Sequence, residues 1–225
     1  MQSKTSPLIE VGKKRAGPGR PEGSTQSREE ILDAAEACFG RMGYSGTSLR
    51  DITMAAGVTQ AMVNYYFGSK RELFRTVYLR RGEALSRERI DLLDAAKSVA
   101  GFQVSDIVRA YLTPAFRLQQ SEQGQHYLRI QARLHAEPDE VAYQLRHEVY
   151  DVPVRLYVAT LCELLPTVDE RRVYIRFTEM IGIYLYILSG AHRIEQISAG
   201  RYEMPPTAEM IEEIVAFTSA GMALA

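Results

Sequence analysis

Cysteine is scarce in this 225-residue chain, with Cys38 and Cys162 far apart in sequence and in no metal-binding spacing. Both read as small buried hydrophobes of a reducing, intracellular protein. Histidine is as sparse: His126, His135, His147 and His192 show no ligand spacing either, so no metal centre is expected. Long hydrophobic runs are missing. The most apolar stretch, Met180 to Leu188, is too short to cross a bilayer and reads as a buried helix. The basic N-terminal stretch has no apolar core, so a secretory leader is not expected and the cytoplasm is the expected compartment. The net charge of −1 excludes a global positive field, and any contact with nucleic acid must come from a local patch. No glycine loop of the phosphate-cradling kind and no nucleophile elbow occurs. The adjacent carboxylates Glu29-Glu30 and Glu212-Glu213 point apart on a helix, so no catalytic pair forms. Neither an enzyme nor a cofactor is expected. No internal repeat is found.

What remains is a chain with 46% hydrophobic residues, enough for a small domain joined to a larger one. Residues 1–27 read as a basic, flexible arm rich in Gly, Pro, Ser and Thr. Within it, Gly19-Arg20-Pro21 resembles the core of an AT-hook, which offers Arg20 to the minor groove; a solvated arm is the alternative, and Glu22 follows at once. After the arm the pattern is helical throughout, which predicts an all-α protein. Helices are expected at about 28–42, 49–55, 60–66, 69–93, 104–120, 124–136, 139–164, 169–195 and 206–222. Pro114 and Pro153 fall inside two of them and are expected to kink or break them.

The first three helices carry the functional signal. Ile31, Ala35, Cys38, Phe39 and Met42 recur at helical spacing, and Gly43 suits a left-handed stop. Ser48 and Asp51 are spaced as a capping box, Gly57 permits a tight turn, and Thr59 is placed to cap the third helix. Ser69 and Glu72 form a second box. Leu49, Ile52, Ala55 and Ala56 supply a platform onto which Val58, Val63, Tyr66 and Phe67 close. This is a helix-turn-helix, occupying 28–68, whose second helix fits the major groove. Thr59, Gln60, Ala61, Asn64 and Tyr65 are left outward. Gln60 and Asn64 share a face and are suited to adenine, and Ala61 to a thymine methyl. Tyr44, Thr47, Ser48 and Tyr65 offer hydroxyls to phosphate, and Lys70 can grip one beside the helix that begins at Ser69.

The stretch ILDAAEACFGRMGYSGTSLRDITMAAGVTQAMVNYYFGSKRELF resembles the DNA-binding head of the TetR family of bacterial regulators. The likeness covers about residues 28–77 and rests on a GY turn, a TS-x-x-x-I second helix, an AGV turn and YYFGSKxxLF, in that order. It implies an all-helical homodimer that represses transcription and releases DNA when a small molecule binds. It also implies phosphate contacts at Thr47 and Ser48, and DNA contacts at Thr59, Gln60, Ala61, Tyr65 and Lys70. At Asn64, where many members carry tyrosine, reading a base and bonding a phosphate both stay open.

Residues 69–225 read as the ligand-binding and dimerisation body. Tyr111, Phe116, Tyr127, Phe177 and Tyr184 are candidates for lining a largely apolar effector pocket between helices. Arg129 and Arg133, four apart, are candidates for an anionic head group. The helix at 169–195 is apolar on two sides, which calls for the body core on one and a second subunit on the other. Paired heads then read a near-palindromic operator in double-stranded DNA. An architectural DNA-binding protein without an effector is the competing reading, favoured by a body filled with side chains.

Overall fold

The computed structural model describes residues 22–136, 140–190 and 193–224, and Arg20 with the rest of 1–21 lies outside them. Among the described residues ten helices form: α1 Glu22–Gly46, α2 Leu49–Ala56, α3 Gln60–Phe67, α4 Lys70–Lys97, α5 Val104–Leu118, α6 Glu122–Ala136, α7 Glu140–Leu164, α8 Glu170–Leu188, α9 Ile194–Ile197 and α10 Thr207–Met222. No strand occurs among the described residues, so the protein is all-α. Helix α1 starts six residues earlier than expected and takes in the end of the arm. Its backbone leaves helical geometry at Gly43, at φ 75° and ψ 173°, which the sequence signals as the stop.

Capping explains the head. The Ser48 hydroxyl accepts from the Asp51 N–H, and the Asp51 carboxylate accepts from the Ser48 N–H at 2.8 Å. Gly57 ends α2 in the left-handed region at φ 66° and donates to the Thr53 carbonyl. The second capping box forms only by half. Ser69 accepts from the Glu72 N–H, but its own N–H goes to the Phe67 carbonyl at 2.8 Å. Ile31, Ala35, Cys38 and Phe39 of α1 are buried with Ile52, Val63, Phe67 and Phe74. Met42 is not in this core. Tyr44, turned back beyond Gly43, packs on Phe74 with ring centres 4.9 Å apart and leaves Met42 exposed. Ala55 is also exposed, and the inner face of α2 is made by Leu49, Ile52, Thr53 and Ala56.

Helix α4 is the spine of the molecule, packed on α1 in the head and on α5 and α7 in the body. Gly82 permits the α7 contact, because a Cβ there would sit 2.8 Å from a Val149 methyl. Hydrogen bonding continues through α5 and α7 at Pro114 and Pro153, so neither helix breaks. Both prolines are buried, and packing outweighs the single donor each removes. The region expected as one helix over 169–195 ends at Leu188.

Candidate nucleic-acid interface

Each residue of α3 faces the side its spacing predicts. Val63 and Phe67 are buried against the head, while Gln60, Ala61, Asn64 and Tyr65 are exposed, Tyr65 by 82%. Thr59 caps the helix by accepting from the Met62 N–H at 3.3 Å. The outer face is therefore an amide, a methyl, a second amide and a phenol on an eight-residue helix. That is a set of groups able to meet base edges once the helix lies in a groove.

Around it, Lys70 sits with its ammonium 4.4 Å from the centre of the Tyr44 ring. The ring holds the cation at the rim of the head while it also packs against Phe39 and Phe74. Ser48 is exposed, and its hydroxyl and N–H hold the Asp51 carboxyl below the usual carboxylate range. Thr47 departs from expectation. It is 2% exposed, and its hydroxyl donates to the carbonyls of Gly43 at 2.7 Å and Cys38 at 3.2 Å. Thr47 therefore ties the end of α1 to the start of α2 and has no hydroxyl proton left for a phosphate. Arg50 on α2 and Arg71 on α4 are exposed cations near the same rim that spacing did not single out.

Head and body are joined along two seams. In one, Glu36 of α1, 1% exposed, is ion-paired to Arg80 and Arg81 of α4. In the other, α6 lies directly on α1: a Cβ at Gly40 would be 2.9 Å from the His126 backbone. Arg133 then donates to the carbonyls of Phe39 at 3.2 Å and Arg41 at 2.9 Å, closing over the end of α1. Arg133 thus spends two of its donors in holding the end of the head helix.

The remaining candidates for an effector pocket do not converge on one space. Arg129 and Arg133 border an open 530 Å³ cleft with Gly40 and Arg41 at the head–body junction. Phe116 borders a separate 260 Å³ cleft beside Ile187, Met204 and Met210. Phe177 and Tyr184 each pack edge to face on Tyr111, with ring centres 4.8 and 6.1 Å away. Tyr127 stands on the far side, its hydroxyl 2.5 Å from that of Tyr150. Spacing missed the residue between these rings, Arg89 of α4. Its signal is a charge in line with Leu85 and Leu93, at four-residue intervals on the buried stripe.

Among the described residues no helix is long and apolar enough to cross a membrane, and no group of side chains suits a metal ion. Residues 31–77 match the sequence family described as bacterial regulatory proteins, tetR family, and residues 109–221 match the tetracyclin repressor-like C-terminal domain. The chain is similar to the transcriptional regulator BetI of Brucella anthropi, at 32% identity over 119 residues, covering 47% of this chain and 61% of that protein. It is also similar to the transcriptional repressor AcnR of Corynebacterium glutamicum, at 40% over 50 residues, covering 22% and 27%. The chain thus spans less than two thirds of these curated relatives. Among solved structures, the hemolysin II regulator HlyIIR superposes with a TM-score of 0.65 at 19% identity, covering 87% of this chain and 98% of that one. The fatty acid degradation regulator FadR of Bacillus halodurans gives 0.62 at 14%, covering 92% and 98%. At such identities these structures bear on the fold alone.

Proposed function

The chain belongs to the TetR family of bacterial regulatory proteins, and from that premise we propose that it is a homodimeric repressor that binds a near-palindromic DNA operator and lets go when a small effector enters its body. The observation that carries the DNA reading is the outer face of α3. Gln60, Ala61, Asn64 and Tyr65 stand clear of the head, while Val63 and Phe67 anchor the helix from behind. Gln60 and Asn64 read bases, and Tyr44 and Lys70 set register on phosphate, whereas the Ser48 hydroxyl, like that of Thr47, already gives its proton away, to the Asp51 carboxylate at 2.6 Å. Arg50 and Arg71 extend the phosphate track.

The dimer face is formed by α8 and α10. Tyr174, Ile175 and Tyr186 of α8 and Phe217 of α10 are exposed apolar groups, Phe217 by 73%. A 450 Å³ groove runs between them, bordered by Ile183, Phe217 and Leu224. Gly182 and Gly221 leave open space where side chains would stand, so a second copy can approach closely.

Gln60→Ala and Lys70→Ala separate the two kinds of contact. Gln60→Ala costs about 1–3 kcal/mol on the selected operator and relaxes preference at one base pair. Lys70→Ala weakens binding to every sequence and flattens the salt slope by about one unit. Equal losses on operator and random DNA for Gln60→Ala would put the reading face elsewhere. The tight packing of Tyr111, Phe177 and Tyr184 favours a second reading, a DNA-binding protein of architectural type with no effector. The two are separated by whether any small molecule binds the body.

A further inference from the structure

The core of the body holds a charge that nothing balances. Arg89 is fully buried on α4. Its Nε donates to the Tyr111 carbonyl at 3.0 Å and its Nη2 to the Tyr184 hydroxyl at 3.3 Å. Its Nη1 has no hydrogen-bond partner. The guanidinium lies 3.8 Å from the centre of the Tyr111 ring and 5.6 Å from those of Tyr150 and Tyr184. The partners of Arg89 in the structure are thus a carbonyl, a hydroxyl and ring faces, with no carboxylate among the described residues.

A guanidinium does not give up its proton in a protein, so burial cannot neutralise it as it would a lysine. Ring faces recover part of the lost hydration, but an unpaired buried cation remains costly. A leucine at 89, continuing Leu85 and Leu93, would remove that cost.

A second buried group beside it is also incomplete. Gln131 of α6 is fully buried, its Nε2 donates to the same Tyr184 hydroxyl at 3.2 Å, and its Oε1 has no partner. Turning the amide over lets the Tyr184 hydroxyl donate to Oε1 and frees the NH2 as a further donor. Arg89 and Gln131 then present one cation and two unused donors inside a wall of aromatic rings.

We propose that Arg89, with Gln131 and Tyr184, anchors the acidic group of the effector, and that the effector is a monocarboxylic acid with an aromatic or aliphatic remainder. This rests on the regulator reading for its consequence, not for the binding itself. A single carboxylate matches the single unbalanced charge, whereas a phosphate dianion would leave a negative charge uncompensated in the same core. The apolar remainder lies among the rings of Tyr111, Phe177 and Tyr184. None of the clefts described above reaches Arg89, so an acid enters only as these rings part. Binding is thereby coupled to movement of α4 against α6 and α8. Arg89 lies about 30 Å along α4 from Ser69 and Lys70 at the head, on one continuous helix.

The test is a thermal melt of the full chain, without DNA, in the presence of benzoate, phenylacetate, hexanoate and octanoate, each beside its neutral amide. Arg89→Met and Arg89→Lys are melted in parallel. Arg89→Met without ligand melts at or above the wild-type temperature, because an unpaired charge has been removed. At least one acid, at about a hundredfold over its Kd, raises the wild-type melting temperature by about 5–10 °C while its amide does not. Arg89→Met loses that rise and Arg89→Lys keeps part of it. The proposal is overturned if Arg89→Met is less stable than wild type or does not fold, since the arginine is then a structural strut. It is equally overturned if no acid outperforms its amide. DNA retention is scored on the same wild-type protein. Retention without an acid effect removes this inference alone, and an acid effect without retention removes the regulator reading alone.

Discussion

Replacing Glu36 with Gln tests the seam between head and body. The carboxylate is 1% exposed and meets Arg80 and Arg81, whose side chains are 23% and 26% exposed. Arg80 keeps Asp33 at 2.8 Å and Glu29 at 3.3 Å when Glu36 is neutralised. Among the described residues no ion pair with another carboxylate is seen for Arg81, so it bears most of the loss. Removing one partner of a fully buried pair costs about 3–5 kcal/mol. Water reaches both arginines and takes up part of that, and the amide preserves the volume, so about 2–3 kcal/mol is expected. For a chain of this size that lowers the melting temperature by about 4–12 °C. Urea unfolding followed by circular dichroism measures the loss, and Arg81→Gln alone and combined with Glu36→Gln closes a double-mutant cycle. The coupling between the two positions should exceed about 1 kcal/mol. A coupling under about 0.5 kcal/mol would refute the idea that this pair holds head to body.

Phe217→Asp places a carboxylate at the centre of the α8–α10 face and should yield monomers by light scattering, with operator affinity lost; an unchanged dimer would move the interface. Gly40→Ala drives a Cβ to within 2.9 Å of the His126 backbone and should cost about 1–3 kcal/mol, less any gain in helix propensity. A neutral result in urea would mean that α6 can slide on α1. Burial raises the titration of Tyr78, Tyr111, Tyr127, Tyr150 and Tyr157 above the ordinary 10.0. The unfolded chain therefore releases these protons first: stability is full below pH 10 and falls as pH rises, by about 1.4 kcal/mol per pH unit for each tyrosine concerned. Melting temperatures between about pH 8 and about pH 11, read beside tyrosinate absorbance, check this; native-state tyrosinate absorbance exceeding what the chain's other eight tyrosines can supply would contradict it.

The helix-turn-helix was legible because its signals are local. Capping by Ser48, Thr59 and Ser69 and the turns at Gly43 and Gly57 involve bonds spanning three to five residues, and the inward and outward sides of α3 follow from its period. The outer face of Gln60, Ala61, Asn64 and Tyr65 needed nothing from the rest of the chain. The body was legible only as helices. Its aromatic positions have helical spacing whether they line a space or fill one, so Tyr111, Phe177 and Tyr184 looked alike to either reading.

By itself, then, the sequence determined the all-α class, the register of α2 and α3, and the outward face of α3, because short-range hydrogen bonds and periodicity decide those. Tertiary structure decided which polar groups are already engaged. Thr47 is an exposed-looking hydroxyl until the Cys38 and Gly43 carbonyls close on it. Arg133 is a free cation until the end of α1 lies beneath it. Arg89 is one more charge on a long helix until four other helices bury it. Whether a donor is spent or available depends on what lies across from it, and those partners stand up to 95 residues away in the chain, beyond the reach of any local pattern.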